Sequence, residues 1–414
     1  MKEALFVAIA FIGIGIGAGI IICLCIRKSI AIKHESSLPP EGRMNEVKLD
    51  DEILIMYPSQ RLKIITHNFK QKLGEGGFGI VYKGVLEDGV PVAVKVLRCN
   101  LSDEIIKLQF KAEVNSIRKT RHPNLVRLYG FCFDKGLKAL VYEFMENGSL
   151  SKFLFDGERN SIGSEQLLNI AIGTAKGIAC LHEDALDGHI IHYDIKPENI
   201  LLDKNLSPKV SDFGLAKLCR RDRTHHPTSG FKGTPGYAAP EMWLPYPVTH
   251  KCDVYSFGML LFEILGRRRN LDSRVSKSQE WLPRYVWKKF NERAMEEMMM
   301  TLGIEEKDKG TATKMAMVAL WCIQQQPEER PLMSSVVKML EGTVVIDRPP
   351  YPFPPSMTPV CLDDQLQNNG NNSSSACSGS TNWITPFSRD NSDAASCSPN
   401  WITPLSREDF LFPR

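Results

Sequence analysis

The octet His192-Tyr193-Asp194-Ile195-Lys196-Pro197-Glu198-Asn199 holds an acid that can take a proton, an ammonium two residues on and a side-chain amide five residues on. Far upstream lies a glycine-rich run, Leu73-Gly74-Glu75-Gly76-Gly77-Phe78-Gly79-Ile80-Val81. With no side chain at Gly74, Gly76 and Gly79, the backbone can approach phosphates closely and its N–H groups can bond them. Dinucleotide-binding turns share this spacing, but they lead from a strand into a helix. Here the run leads into the strand-like Tyr82-Lys83-Gly84, which favours a flap over bound phosphates. Lys95 then closes the apolar stretch Val92-Ala93-Val94-Lys95. A buried ammonium is costly unless paired. Its expected acid is Glu113, which faces the same side as Ile117. Glu104 is second, because an acid early in a helix could simply favour the N-terminus.

These residues need elements to position them. Residues 81–86 and 91–96 read as strands joined by the turn Glu87-Asp88-Gly89, a hairpin. Residues 102–120 have helical spacing, with Ile106, Phe110, Val114 and Ile117 on one face. Residues 125–133 and 139–144 read as further strands. From about Leu150 the texture turns helical, as over 165–182, 253–265 and 311–324. The expectation is α+β, a small β-rich lobe followed by a larger helical one.

The chain has 414 residues, 43% hydrophobic and 24% charged, which suffices for a sizeable core. A net charge of +3 carries no bulk signature of nucleic-acid binding, and none is expected as a partner. The 11 cysteines form no CxxC pair or zinc-spaced cluster and suit reduced cytosolic thiols. Residues 4–26 are apolar throughout and as a helix span about 34 Å, against a hydrocarbon core of about 30 Å. A cleaved signal peptide would have a core of only about 7–15 residues. Arg27, Lys28 and Lys33 follow at once, which puts the remainder in the cytosol and leaves 1–3 as an extracellular stub. The expected location is therefore a membrane, crossed once. Gly13/Gly17 and Gly15/Gly19 have the spacing of a helix–helix face, through which a receptor partner or a homodimer could form; glycine is also simply common in membrane helices. Cys23 and Cys25 stand where palmitoylation occurs, or serve as small apolar residues. Residues 27–67 read as a juxtamembrane linker. After 345 the chain turns Pro-rich and then Asn/Ser/Gly-rich, too poor in apolar area to order itself, so 346–414 is expected to be a disordered tail. It holds a duplicated motif at 382–389 and 400–407, whose Thr385-Pro386 and Thr403-Pro404 are candidate phosphorylation sites or inert repeats.

The octet resembles the catalytic loop of protein kinases, H-R-D-x-x-x-x-N. The glycine run, Val92-Ala93-Val94-Lys95, Asp212-Phe213-Gly214 and Gly233-Thr234-Pro235-Gly236-Tyr237-Ala238-Ala239-Pro240-Glu241 follow the same family in order. The resemblance covers about 68–345, split into lobes at 68–146 and 147–345. It implies a kinase that uses ATP and Mg²⁺ and acts on protein substrates. Asp194 would accept or orient the substrate hydroxyl, Lys196 would neutralise the transferring phosphoryl group, and Thr234 would bond both. Lys95, paired with Glu113, would reach the α/β-phosphates, with Asn199 and Asp212 as metal ligands. The adenine would bond backbone atoms of Glu143 and Met145 between Val81, Ala93 and Leu201, with Tyr142 narrowing the pocket behind. Asp253 would hold the catalytic-loop backbone, and Arg330 would pair with Glu241.

Lys196 in its Asp-Ile-Lys-Pro-Glu-Asn context suggests the Ser/Thr branch. His122-Pro123-Asn124-Leu125-Val126-Arg127-Leu128-Tyr129-Gly130, Asn147-Gly148-Ser149-Leu150 and Val248-Thr249-His250-Lys251-Cys252-Asp253 are similar to plant receptor-like kinases, and with the octet to the leaf-rust-resistance-kinase-like subgroup. Two features depart from that pattern. A sensing ectodomain is not expected before residue 4. Tyr193 replaces the Arg that pairs with a phosphorylated activation loop, so phosphorylation at Thr224, Thr228 or Ser229 is not expected to switch activity through this position. An active membrane-anchored kinase is the leading expectation. A pseudokinase scaffold or a membrane adaptor for a full receptor is the alternative.

Overall fold

The computed structural model describes residues 45–353, apart from 50–51, 78, 98–109, 111–112, 115–119, 135, 157–161, 185–187, 220–232 and 244–246. Residues 4–26, the three candidate activation-loop sites and the tail repeats lie outside the described residues. Among the described residues no helix is long and apolar enough to cross a membrane.

The first lobe is a seven-stranded sheet in the order β1-β2-β6-β7-β5-β4-β3. Its strands are β1 (Asn45–Leu49), β2 (Glu52–Met56), β3 (Lys72–Gly76), β4 (Gly79–Val85), β5 (Pro91–Leu97), β6 (Leu128–Asp134) and β7 (Leu137–Glu143). β4 and β5 form an antiparallel hairpin from Gly79↔Leu97 to Val85↔Pro91. Its turn closes because Gly89 takes φ 83°, while the Asp88 carboxylate accepts the Val90 N–H at 3.1 Å. Alternation along β5 sends Val92 and Val94 into the core with Cys132, Ala139 and Val141, and puts Ala93 and Lys95 on the other face. Phe110, Glu113 and Val114 are helical and buried; their neighbours lie outside the described residues.

Composition assigned 27–67 to a linker, yet residues 45–65 are built into this lobe. β2 pairs in parallel with β6 through Ile55↔Gly130 and Met56↔Phe131. α1 (Ser59–Ile65) then lays Leu62 and Ile65 on the sheet, beside Tyr57. The reason is legible in the spacing: Leu54, Tyr57, Leu62 and Ile65 all become buried, each worth about 1.5–3 kcal/mol relative to exposure.

The second lobe begins with β8 (Gly148–Ser149) and α2 (Leu150–Phe155), then α3 (Ser164–Ala179). β9 (His189–Ile191), β10 (Ile200–Leu202), β11 (Pro208–Val210) and β12 (Lys217–Cys219) carry the octet and the Asp212 turn between them. α4 (Lys251–Gly266) is buried nearly all round, its mostly apolar run interrupted by the buried Asp253, Ser256 and Glu263. It packs on α7 (Lys309–Cys322) at Gly258, where a Cβ would lie 2.8 Å from both Cys322 Cβ and Ile323 Cγ2. α5 (Leu282–Asn291), α6 (Met295–Thr301) and α8 (Met333–Glu341) complete the lobe.

The chain stays against the helices past the expected end at 345. Trp321 donates its indole N–H to Asp347 O at 2.9 Å, and Gln324 Nε2 donates to Pro350 O at 3.3 Å. Tyr351 meets Trp287 edge-on at 5.5 Å, and Arg348 lies over Phe290. Proline-rich backbone cannot order itself through its own ladder; here side chains of α5 and α7, and Gln324 just beyond α7, provide the partners.

Candidate active site

β3 and β4 pair Gly74↔Val81, Glu75↔Ile80 and Gly76↔Gly79, so the glycine run is a hairpin with Gly77 in its turn. Phe78 itself lies outside the described residues. A Cβ added to Gly74, Gly76 or Gly77 would meet nothing within 4 Å. The protein's own packing therefore does not demand glycine there, and the space suits a group laid against the backbone, as phosphates would be. Leu73 is exposed, and Glu75 forms an ion pair with Lys72. At the back of the cleft, Arg127 O accepts the Glu143 N–H at 3.0 Å, and Met145 O accepts the Gly148 N–H at 3.2 Å. The contacts expected for an adenine edge, the Glu143 C=O and the Met145 N–H, belong to the same two residues. Val81, Ala93 and Leu201 are partly buried, as suits walls around a flat base.

Beneath the hairpin, Lys95 Nζ donates to Glu113 Oε1 and Oε2 at 2.9 and 3.2 Å, and to Asp212 Oδ1 at 2.6 Å. The structure thus selects Glu113; Glu104 lies outside the described residues. Burial alone would pull the Lys95 pKa down, but the two carboxylates outweigh it and hold the ammonium charged. They are not equivalent. Burial pushes Glu113 up despite Lys95. Burial also raises Asp212, but Lys95 and the Gly214 N–H hold it below the ordinary carboxylate range. Tyr142 donates its hydroxyl to Glu113, which fixes the acid from behind. Local spacing carried no signal of this bond.

The octet holds its acid by three donors. Asn199 Nδ2 donates to Asp194 Oδ2 at 2.9 Å and to Asp194 O at 2.8 Å. Lys196 Nζ reaches Asp194 Oδ2 at 2.8 Å and Thr234 Oγ1 at 2.7 Å. The Thr234 hydroxyl donates to Asp194 Oδ1 at 2.5 Å. Because Asn199 uses its nitrogen, its Oδ1 is left for a cation. That oxygen and the Asp212 carboxylate are hard donors of the kind Mg²⁺ takes beside phosphates.

Buried polar groups bend the backbone into this arrangement. Tyr193 and Asp212 adopt φ of 68° and 63°, which costs a residue with a Cβ about 1–3 kcal/mol. Asp253 offsets the first, since its carboxylate accepts the His192 and Tyr193 N–H groups at 2.8 Å each. Burial pushes Asp253 up, yet its bond with His182 at 2.9 Å and these N–H donors hold it low. His192 is a residue that spacing did not single out. Its Nδ1 accepts the Asp194 N–H at 3.2 Å, so Nε2 carries hydrogen and donates to Ser211 O at 2.9 Å. One ring thereby ties the acid to the segment entering Asp212, and it rests against Phe213 at 5.0 Å. Gly233, at φ 96°, passes so close to Tyr193 O that a Cβ would sit at 2.7 Å. The Tyr193 ring is buried among Ile191, Cys219, Ala239, Met242, Val248 and Cys252. An apolar cluster fills the place where an arginine would need solvent and anions.

Glu241 and Arg330 form a bidentate pair at 2.7 and 2.8 Å. The guanidinium also donates to Gln324 O, Gln325 O and Lys251 O. Every donor is consumed within the fold, so this pair is scaffold.

The family profile described as protein tyrosine and serine/threonine kinase matches residues 67–340. Similar curated proteins include Rust resistance kinase Lr10 of Triticum aestivum, 45% identical over 305 residues, which are 72% of this chain and 47% of that protein. A LEAF RUST 10 disease-resistance locus receptor-like protein kinase-like 2.4 of Arabidopsis thaliana is 42% identical over 308 residues, 72% of this chain and 48% of its own. The G-type lectin S-receptor-like serine/threonine-protein kinase SD2-5 of Arabidopsis thaliana is 43% identical over 302 residues, 72% and 36%. The chain thus spans about half the length of these relatives, or less.

Proposed function

The chain belongs to the protein tyrosine and serine/threonine kinase family, in its plant receptor-like branch with the leaf-rust kinases, and on that premise we propose that it transfers the ATP γ-phosphoryl group to Ser/Thr hydroxyls of proteins. One observation carries the reading: Asp194 is gripped by Asn199, Lys196 and Thr234, while Lys95 is held by Glu113 and Asp212. The first group faces an incoming hydroxyl and the second a polyphosphate.

Phosphoryl transfer is loose, so positioning and charge neutralisation set its rate. The glycine hairpin covers the phosphates with backbone N–H groups. Lys95 holds the α/β-phosphates, Asp194 orients the hydroxyl and takes its proton, and Lys196 stabilises charge on the group in flight. Asn199 Oδ1 and Asp212 would hold Mg²⁺, which would supply further charge neutralisation when bound. Tyr142 limits the depth of the adenine pocket.

The finer reading adds a single membrane anchor at 4–26, a cytosolic catalytic domain and a receptor partner or a second copy through the glycine face. It places the chain in receptor-like, defence-related signalling. The length and flanking charge of 4–26 support the anchor. The test is radiolabelled transfer from ATP by the full chain beside Asp194→Asn, with phosphoamino-acid analysis of the product. Label on serine and threonine, lost in the variant, is expected. Equal, negligible label in both proteins would defeat the enzyme reading, and label on tyrosine alone would defeat its Ser/Thr form.

A further inference from the structure

Next in sequence to residues of the transfer cluster, one cation of the chain is seated against a carboxylate, a phenol hydroxyl and an aromatic ring. Arg269, just after α4, donates from Nη2 to Glu198 Oε1 at 2.8 Å and from Nη1 to the Tyr237 hydroxyl at 3.1 Å. Its guanidinium carbon lies 3.8 Å from the centroid of the Phe155 ring. Tyr237 in turn donates to Glu263 Oε2 at 2.7 Å, a carboxylate buried in α4. Burial tends to lower Arg269, but Glu198 and the groups behind it more than compensate, so it stays a cation.

The place is as informative as the chemistry. Glu198 immediately precedes Asn199, whose amide bonds Asp194. Tyr237 lies three residues after Thr234, whose hydroxyl bonds the same carboxylate. Arg269 therefore bridges the two segments that supply bonds to the Asp194 carboxylate. Its side chain is 44% exposed, so it is open to solvent rather than packed in the core.

The fold does not need this cation. Glu198 is 39% exposed and would be hydrated without it. Glu263 already accepts from Tyr237 and from the Asn270 N–H at 3.1 Å. Arg330 is the contrast, since it is wholly enclosed and neutralises an enclosed acid. An anion with an aromatic floor is a preferred seat for a planar guanidinium. Here the seat is taken from within.

We propose that Arg269 is a specificity-determining residue: it occupies, in cis, the position beside Glu198 and Phe155 that an arginine or lysine of a protein substrate would otherwise take. The chain then discriminates against substrates with a basic residue at that distance from the target hydroxyl. This rests on the phosphoryl-transfer reading above.

The test uses the full chain as wild type, Arg269→Ala, Arg269→Lys and Arg269→Ala/Glu198→Gln. The probes are peptides with a central serine in an Ala/Gly background, each with one arginine moved through the flanking positions. Transfer gives kcat/KM, and anisotropy of the same peptides carrying fluorescein gives Kd. Wild type and Arg269→Lys are expected to show no gain from arginine. Arg269→Ala is expected to favour arginine over alanine about tenfold at one position in both readouts, and the double variant to lose that preference. Arg269→Ala treating arginine and alanine peptides alike, or losing equally on all of them, would overturn the proposal. So would a preference that survives Glu198→Gln. Should wild type transfer no more than Asp194→Asn, the transfer reading fails, and anisotropy still decides the pocket.

Discussion

Two buried ion pairs in this molecule look alike on paper and differ in what they leave over. Arg330 meets Glu241 with both nitrogens and gives its remaining hydrogens to three backbone carbonyls. Lys95 meets two acids that cannot both be satisfied by one ammonium, and one of them, Asp212, is 27% exposed. A closed set of bonds fixes helices; an open set keeps charge ready for a third group. Glu198 and Arg269 lie between these extremes, paired but exposed. Saturation of hydrogen-bonding capacity, rather than burial or pairing, separates scaffold from chemistry here.

The comparison can be broken first at Asp194. Asp194→Asn is expected to lower kcat by about 10³–10⁴-fold and to shift Tm by only about 2 °C, because the amide can still accept from Asn199. A collapse of Tm would move Asp194 to the scaffold side. Arg330→Ala should do the reverse. Urea unfolding is expected to show a loss of about 3–5 kcal/mol, since Glu241 is left buried without its partner. Lysine should restore only part, lacking the planar fork.

Glu263 sharpens the contrast through pH. Burial raises its carboxyl from 4.5 to about 7, against bonds from Tyr237 and the Asn270 N–H. Between these values the native chain binds more protons than the unfolded one. The group therefore favours the fold below pH 4.5, and this contribution is lost as pH rises through about 7. Stability of Glu263→Gln, followed by chemical unfolding, should fall less steeply across that window; an unchanged slope refutes the assignment. The smallest effect is expected from Tyr142→Phe. It removes the hydroxyl donor to Glu113 and should raise the KM for ATP about fivefold, or ~1 kcal/mol, with Tm little changed. No change in KM would mean that Lys95 alone positions Glu113.

The members of the two candidate clusters were readable where their spacing is imposed by local backbone. Lys95 and Ala93 share a face by strand alternation, and Asn199 reaches Asp194 across one tight turn. Glu113 was readable with one competitor, since helical periodicity named the face but not the depth. Partners distant in sequence had no local signal. The His192 ring spans to Ser211, Tyr142 to Glu113 and Arg269 to Glu198, and each needs the fold to bring two elements together. Arg267-Arg268-Arg269 reads in one dimension as a solvated basic run. The lobe borders were misjudged for a related reason. Residues 45–65 and 346–351 gain their order from strands and rings elsewhere, so composition, which is local, assigned them to linker and tail.

Those two borders have a practical side. Motifs and family match suggest cutting the protein near 67 and 340. A fragment cut there would strip Leu54, Tyr57, Leu62 and Ile65 off the sheet and bare Trp287 and Trp321. It should express poorly and aggregate through its opened strand edge. A fragment from about 45 to 353 should instead keep these contacts and remain soluble, and that is the piece suited to production, crystallisation and inhibitor screening.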